Sequence, residues 1–277
     1  MTATAVSTST PQEGLAHAPA PIATLLEIVF PGDTNHHGTL FGGAGLAYMD
    51  RIAFIAASRH GRVPFVTASC ENVGFHKPAH VGEIVSFDAS IREVRRRSLT
   101  VEVKMAAQTI LGGERHLCTA GVFHMVALPG EGKAAGWSLP PLTEEAAPAK
   151  PDELRMADIV FADQVNGNGA LFGGHALAFM TKAAFITASR LSGRLTVLAA
   201  TRQIDFHHPV ALGAIVEAVA RTASVGRSSI HVEVDLWFEG LLTGERQLAA
   251  KGQFVMVAVD ASHRPVPVRQ AQGTACP

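Results

Sequence analysis

The sequence predicts an α+β protein of two like domains in tandem, each an antiparallel β-sheet wrapped around one long central helix. Three observations predict it. The chain repeats itself without a gap at a spacing of 131 residues, each repeat holds one long apolar helical segment, and the residues after that segment read as strands. The shift carries Phe30 onto Phe161, Asn35 onto Asn166, Gly43 onto Gly174, Phe75 onto Phe206, Pro78 onto Pro209 and Phe123 onto Phe254. About 40% of roughly 100 aligned positions are identical, and a period this long means two domains rather than a solenoid.

The elements come in order. Residues 1–21 are small, polar and proline-bearing, without Lys or Arg and without an apolar core, and read as a disordered leader. The first domain, 22–128, opens on the strand LEIVF and a polar glycine-bearing loop. Its helix, Ala44 to Arg59, is rich in Ala, Leu, Met and Phe and apolar nearly all round, so it is buried. Four strands come next, FVTASCENVGF, EIVSFDASIREV, SLTVEVKMAAQ and HLCTAGVFHMVAL, separated by Gly, Pro or charged turns. Residues 129–152, rich in Pro, Ala, Gly and charge, form a linker. The second domain, 153–260, repeats the grammar with ADIVF and a helix from His175 to Arg190, and 261–277 is a flexible tail.

Composition excludes several classes of function. With 47% hydrophobic residues and Lys+Arg 23 against Asp+Glu 24, the chain has a core to bury and no field that favours nucleic acid or an anionic membrane. It contains no DNA-binding helix-turn-helix pattern and no apolar run of about 18 residues to span a bilayer. Cys70, Cys118 and Cys276 are too scattered for a disulfide framework or a zinc knuckle, which points to a reducing cytoplasm. His36-His37, His76 with His80, and His207-His208 invite a metal reading. It is set aside because adjacent histidines on a strand point apart and no acid or cysteine stands at ligand spacing.

The chemistry concentrates where the repeats disagree. LFGGAGLAYMD ends in Asp50, whereas its copy LFGGHALAFMT ends in Thr181. Asp50 shares a helix face with Leu46, Ala47, Ala53 and Phe54, which predicts a buried acid. A carboxylate withdrawn from water is a stronger base towards a bound water molecule. A structural carboxylate paired with an arginine or a backbone amide is the alternative.

DTNHHGTLFGG, with MD ending seven residues after its last glycine, and VTASCENVGFHKPAHVGEIV together resemble the hotdog-fold acyl-CoA thioesterases. The likeness is to the branch of YciA-type hydrolases and tandem brain-type acyl-CoA hydrolases, and it covers both repeats. The resemblance implies two hotdog units with joined sheets and acyl-CoA sites at the seam, so that one chain forms the unit alone and three chains form a ring. It implies no cofactor beyond the CoA of the substrate.

Site residues are implied by the same resemblance. Asp50 activates water in partnership with Asn166, while Thr181 faces Asn35 across a degenerate second site. An amide suits this role because it donates and accepts at once, although an Asx turn would also place asparagine there. Thr67 supports the acid, and Leu198 replaces it in the second repeat. The pairs Gly42-Gly43 and Gly173-Gly174 bring helix N-terminal amides to the thioester oxygen, or else merely permit tight helix packing. The turns Arg95-Arg96-Arg97-Ser98 and Gly226-Arg227-Ser228-Ser229 are candidates for the CoA phosphates, with a solvated basic turn as the alternative. Two other functions fit the fold: an enoyl-CoA hydratase using Asp33 with His36 or His37, and a non-catalytic acyl-CoA-binding or regulatory protein.

Overall fold

The computed structural model describes residues 22–110, 113–128, 130, 136–142 and 152–268, so the expected leader lies outside the described residues. The first domain consists of β1 (Ala23–Ile28), α1 (Gly42–Gly61), β2 (Phe65–Phe75), β3 (Glu83–Val94), β4 (Ser98–Thr109) and β5 (His116–Ala127). The second repeats it as β6 (Glu153–Ile159), α2 (Gly173–Ser192), β7 (Thr196–Phe206), β8 (Ile215–Val225), β9 (Ser229–Glu239) and β10 (Arg246–Ala258). Each set of strands forms an antiparallel five-stranded sheet, in the orders β1-β3-β4-β5-β2 and β6-β8-β9-β10-β7. Each helix runs two residues further at either end than its apolar pattern requires, because glycines or serines are tolerated in its first and last turns.

The apolar helices are buried as expected. Met49, Ile52, Ala53, Ile55 and Ala56 of α1 pack on Phe87, Val101, Val103 and Phe123 of the sheet, and Met180, Ala183, Ala184 and Ile186 of α2 pack on Ala218, Val232, Val234 and Phe254. Each helix stops on a left-handed residue, Arg62 (φ 50°) and Gly193 (φ 57°), whose amide bonds back to the carbonyl of Ser58 or Ser189.

The two domains meet differently from the expectation. Where joined sheets were expected, each sheet keeps to its own domain, and the domain contact is made by the β1 and β6 edges. A set of reciprocal ion pairs spans it. Arg51 of α1 reaches Asp158 of β6 at 3.2 Å, and Lys182 of α2 reaches Glu27 of β1 at 2.6 Å. These pairs map onto each other under the repeat shift, so the contact has two-fold-like symmetry. Arg59 adds Glu217 at 3.3 Å and Glu239 at 3.1 Å. The cores interlock at the same place, with Leu26 and Ile84 packed into the second core and Ala157, Ile159 and Ile215 into the first. Burial raises the carboxyls of Glu27 and Asp158, opposed by Lys182 and Arg51 respectively.

Two segments expected to be loose are bonded where they are described. Within the linker, Leu139 is buried and its amide donates to the Arg96 carbonyl at 2.9 Å, while Trp137 packs on the first core. In the tail, Pro265 bridges to Val259, and the Val268 amide donates to the Arg227 carbonyl at 2.9 Å, so residues up to 268 are tied to the second domain rather than frayed.

A stability prediction arises from β6. Hydrogen bonds from Arg221 at 2.9 Å and Arg155 at 2.7 Å, the Arg221 bond contributing most, pull the Glu153 carboxyl from 4.5 down to about 2. A depressed carboxyl stabilises the fold fully above its unfolded value and loses that contribution as pH falls through the folded one. Glu153→Gln is therefore expected to lower the melting temperature at pH 7 and to flatten its decline between pH 4.5 and 2. Parallel melting curves for the two proteins across that window would refute the assignment.

Candidate active site

Asp50 lies midway along α1 and its carboxylate turns towards β2. Thr67 Oγ1 donates to Asp50 Oδ1 at 2.5 Å, so the sequence-predicted acid and its predicted support are brought together. Oδ2 accepts no bond from the described residues, which leaves a carboxylate lone pair for water. Asp50 is half-buried, not buried as expected from its apolar neighbours. The reason is that the sheet ends at β2. Gly43, Leu46 and Ala47, before it on the same face of the helix, are exposed, whereas Ala53, after it, is buried in the core. In the second repeat Thr181 is half-buried and Leu198 is 44% exposed, so neither residue of the pair survives there.

The glycine pairs open the two helices beside exposed phenylalanine rings. A Cβ on Gly43 would stand 2.5 Å from the Phe41 ring, and one on Gly174 would stand 3.0 Å from the Phe172 ring, so a side chain at the second position of each pair would displace that exposed ring. At Gly42 and Gly173 the nearest atoms, on Phe75 and Phe206, are at ordinary contact distances of 3.7 and 3.9 Å. All four residues occupy the first turn of a helix, whose amides lack acceptors within the helix and are directed at whatever lies before it.

The asparagines shape their loops, and they differ in what remains to them. Asn35 Oδ1 accepts the amides of His37 at 2.9 Å and Thr39 at 3.3 Å, and its Nδ2 donates to Thr39 Oγ1 at 3.0 Å. Asn166 Oδ1 accepts the amides of Asn168 at 2.9 Å and Ala170 at 3.3 Å. Because Ala170 stands where the first repeat has Thr39, the Asn166 Nδ2 donates to none of the described residues. The acid belongs to one repeat and the uncommitted amide to the other. Asn166 is exposed and lines a cavity of about 310 Å³ with Phe206, His207 and Pro209 at the far end of β7. Nothing within the chain brings it to Asp50 among the described contacts.

The basic turns are tight hairpins, closed by Arg95 N to Ser98 O and Gly226 N to Ser229 O, both 2.7 Å. Arg95 is engaged by Glu93 at 2.9 Å, while Arg96, Arg97 and Arg227 stand exposed. Thr67 pairs with Met125 and Met125 with Leu99, so the first turn lies at the same end of the sheet as Thr67, two strands and about 10 Å away. Ser98, Ser228 and Ser229 are half-buried within these hairpins. The histidines differ from expectation in one respect. The His36 and His37 rings lie 3.9 Å apart, because they sit in a turn ending at Gly38 (φ 72°) rather than on a strand.

Sequence reasoning missed the residues at the domain contact. Glu27, Arg51, Asp158 and Lys182 surround a cavity of about 350 Å³ that also touches Tyr48 and Phe179. Burial, with Glu27 and Asp33 nearby, pushes the Tyr48 hydroxyl up to about 12. The signal was present in the repeat itself, since positions 27 and 158 are both acidic and 51 and 182 both basic on otherwise apolar elements.

A helix-wrapping sheet built twice, with a carboxylate and a threonine at the mouth of one helix face, defines a class, and comparison with known proteins gives the same one. A model described as the thioesterase superfamily matches residues 37–112 and 168–244, and the chain belongs to that family as two tandem hotdog domains. The crystal structure of an acyl-CoA hydrolase from Agrobacterium tumefaciens is similar with 56% identity and a TM-score of 0.82, over 89% of this chain and 97% of that one. The uncharacterized acyl-CoA thioester hydrolase YkhA of Bacillus subtilis is 42% identical over 38% of this chain and 61% of its own. Acyl-coenzyme A thioesterase 11 of Mus musculus is 23% identical over 87% of this chain and 48% of its own. The chain thus spans less than two thirds of the length of either of these two curated relatives.

Proposed function

We propose that the protein is an acyl-CoA thioesterase that hydrolyses fatty acyl-CoA to free fatty acid and CoA, with one working site and one degenerate site. The observation that carries the reading is the Asp50–Thr67 pair at 2.5 Å on an open helix face, absent from the second repeat. Thr67 holds one carboxylate oxygen and so orients the other towards water. Asp50 takes the proton as the water oxygen attacks the thioester carbonyl. Helix N-terminal amides at a glycine pair receive the developing oxyanion, and collapse of the tetrahedral intermediate breaks the carbon–sulfur bond and releases the CoA thiolate. Thr181, with a hydroxyl in place of the acid, has no group to accept that proton. No cofactor is needed beyond the CoA of the substrate. The acyl-CoA hydrolase names of the similar proteins support the substrate class. In keeping with the resemblance, the protein is cytoplasmic and assembles as a ring of three chains; among the described residues no helix is long and apolar enough to cross a membrane.

A thiol-release assay tests this reading in two ways. Thr67→Val, which keeps the shape and removes the donor, is expected to lower kcat roughly 10- to 100-fold at little change in KM, the worth of a hydrogen bond to a charged group. An unchanged kcat would remove Thr67 from the site. Alanine at Arg96 and Arg97 together, or at Arg227, is expected to raise KM more than it lowers kcat, because the CoA phosphates are remote from the bond broken. Equal loss of affinity for acyl-CoA and acyl-pantetheine in these variants would show that the turns do not bind phosphate.

A further inference from the structure

The two halves of the domain contact are not alike. In one, a carboxylate of β8 is bridged by two arginines: Glu217 Oε1 accepts from Arg59 Nη2 at 3.3 Å and its Oε2 from Arg246 Nη2 at 2.5 Å. The repeat shift carries Arg59 onto Arg190, Arg246 onto Arg115 and Glu217 onto Ser86. Both arginines are therefore kept in the other half, and the carboxylate between them is gone. Glu239, which accepts from Arg59 Nε at 3.1 Å, is likewise matched by the neutral Gln108. Arg115 turns to what remains, donating to Ser86 Oγ at 2.8 Å and to Asp88 Oδ2 at 2.5 Å, while Thr24 donates to Asp88 Oδ1 at 2.7 Å. Arg190 makes no hydrogen bond or ion pair among the described residues. It lies close enough to Arg115 and Asp88 to feel both charges: packing around its guanidinium, and then repulsion from Arg115, lower its pKa against the opposing pull of Asp88. Arg190 and Arg115 are both exposed, so a solute can reach them.

We infer that Arg190 and Arg115 form a binding site for a carboxylate, free or at the end of a larger molecule, which takes the place between them that the Glu217 side chain takes between Arg59 and Arg246. A planar guanidinium matches the two oxygens of a carboxylate, and two guanidiniums on one carboxylate are what the molecule itself builds in its other half. Ser86 differs from glutamate by the acidic end of the side chain, a group the size of acetate. The charges agree. The two arginines face one acid, Asp88, which stands where the second repeat has the uncharged Val219 and is already engaged by Arg115 and Thr24, so one positive charge remains. The ligand would also act on the domain contact. Arg190 belongs to the second domain and Arg115 to the first, so a bound carboxylate ties the two together as Glu217 ties Arg59 to Arg246. The site uses none of the residues assigned to thioester hydrolysis and stands independently of that reading.

Thermal melting of the full chain in sodium acetate, against sodium chloride of equal ionic strength, tests the site. Acetate is expected to raise the wild-type melting temperature by about 3 °C more than chloride does, by binding the folded state alone. Arg190→Gln removes a side chain that leaves no partner stranded, so it is expected to melt like the wild type in chloride and to lose the acetate increment. Ser86→Glu supplies the missing carboxylate from the chain itself, and is expected to melt higher than the wild type in chloride and to gain nothing further from acetate. Equal acetate increments in the wild type and Arg190→Gln would show that the anion acts on the surface at large and would overturn the inference, whether or not Ser86→Glu folds. Phosphate is the second probe: an increment lost in Arg190→Gln that is larger for phosphate than for acetate would contradict the carboxylate class.

Discussion

Asp50→Asn is expected to lower kcat for acyl-CoA hydrolysis by at least about 10²-fold while acyl-CoA still binds, since the amide keeps the shape of the carboxylate and can hold the Thr67 hydroxyl but cannot take a proton from water. The geometry makes the substitution clean. The only bond that the side chain accepts among the described residues is the one from Thr67 at 2.5 Å, and an amide oxygen can accept it equally. Loss of binding along with turnover would mean that Asp50 shapes the pocket, and retention of near wild-type turnover would remove it from the chemistry.

Asp158→Ala is expected to destabilise the protein by about 3 kcal/mol, the lower end of the cost of stranding a buried partner, because Arg51 would be left at the domain contact without its carboxylate. Its side chain and that of Arg51 are 13% and 24% exposed, so water offers limited compensation. Replacing both, Arg51→Met with Asp158→Leu, is expected to recover most of the loss, as apolar pairs commonly do at such positions. Equilibrium denaturation reads both. If the single and double variants lose stability equally, or neither does, the ion pair is not what holds β1 against β6.

The repeat made most of the fold legible. The four strands after α1 were readable almost to the residue because each is a β-branched or alternating run stopped by Gly, Pro or charge, and β2 and β3 begin and end where the pattern does. The helix was readable from its unbroken Ala, Leu, Met and Phe content. At the site, Asp50 and Thr67 were paired by the resemblance, with their joint loss in the second repeat in agreement, and they do touch. What the sequence did not show was which edge each domain offers the other. Both edges of the sheet carry apolar residues, and the contact of β1 with β6 carries four charges whose partners lie in the other repeat, beyond the reach of any local pattern. The half-exposure of Asp50 has the same origin. Periodicity places Leu46 and Ala47 beside it but cannot reveal that the sheet ends before covering them. The asymmetry of the asparagines was likewise hidden in a single change, Thr39 to Ala170, which decides whether the amide donor is occupied.

Thiol release from acyl-CoA by the purified full chain, measured together with free fatty acid over a series of acyl lengths, tests the central claim most directly. The account predicts thiol and fatty acid appearing in equal amounts with continuous turnover, without added metal or cofactor, at a rate that collapses in Asp50→Asn. Acyl-CoA that binds and is recovered intact, or that gains water across a double bond in an enoyl substrate with its thioester unbroken, would contradict it.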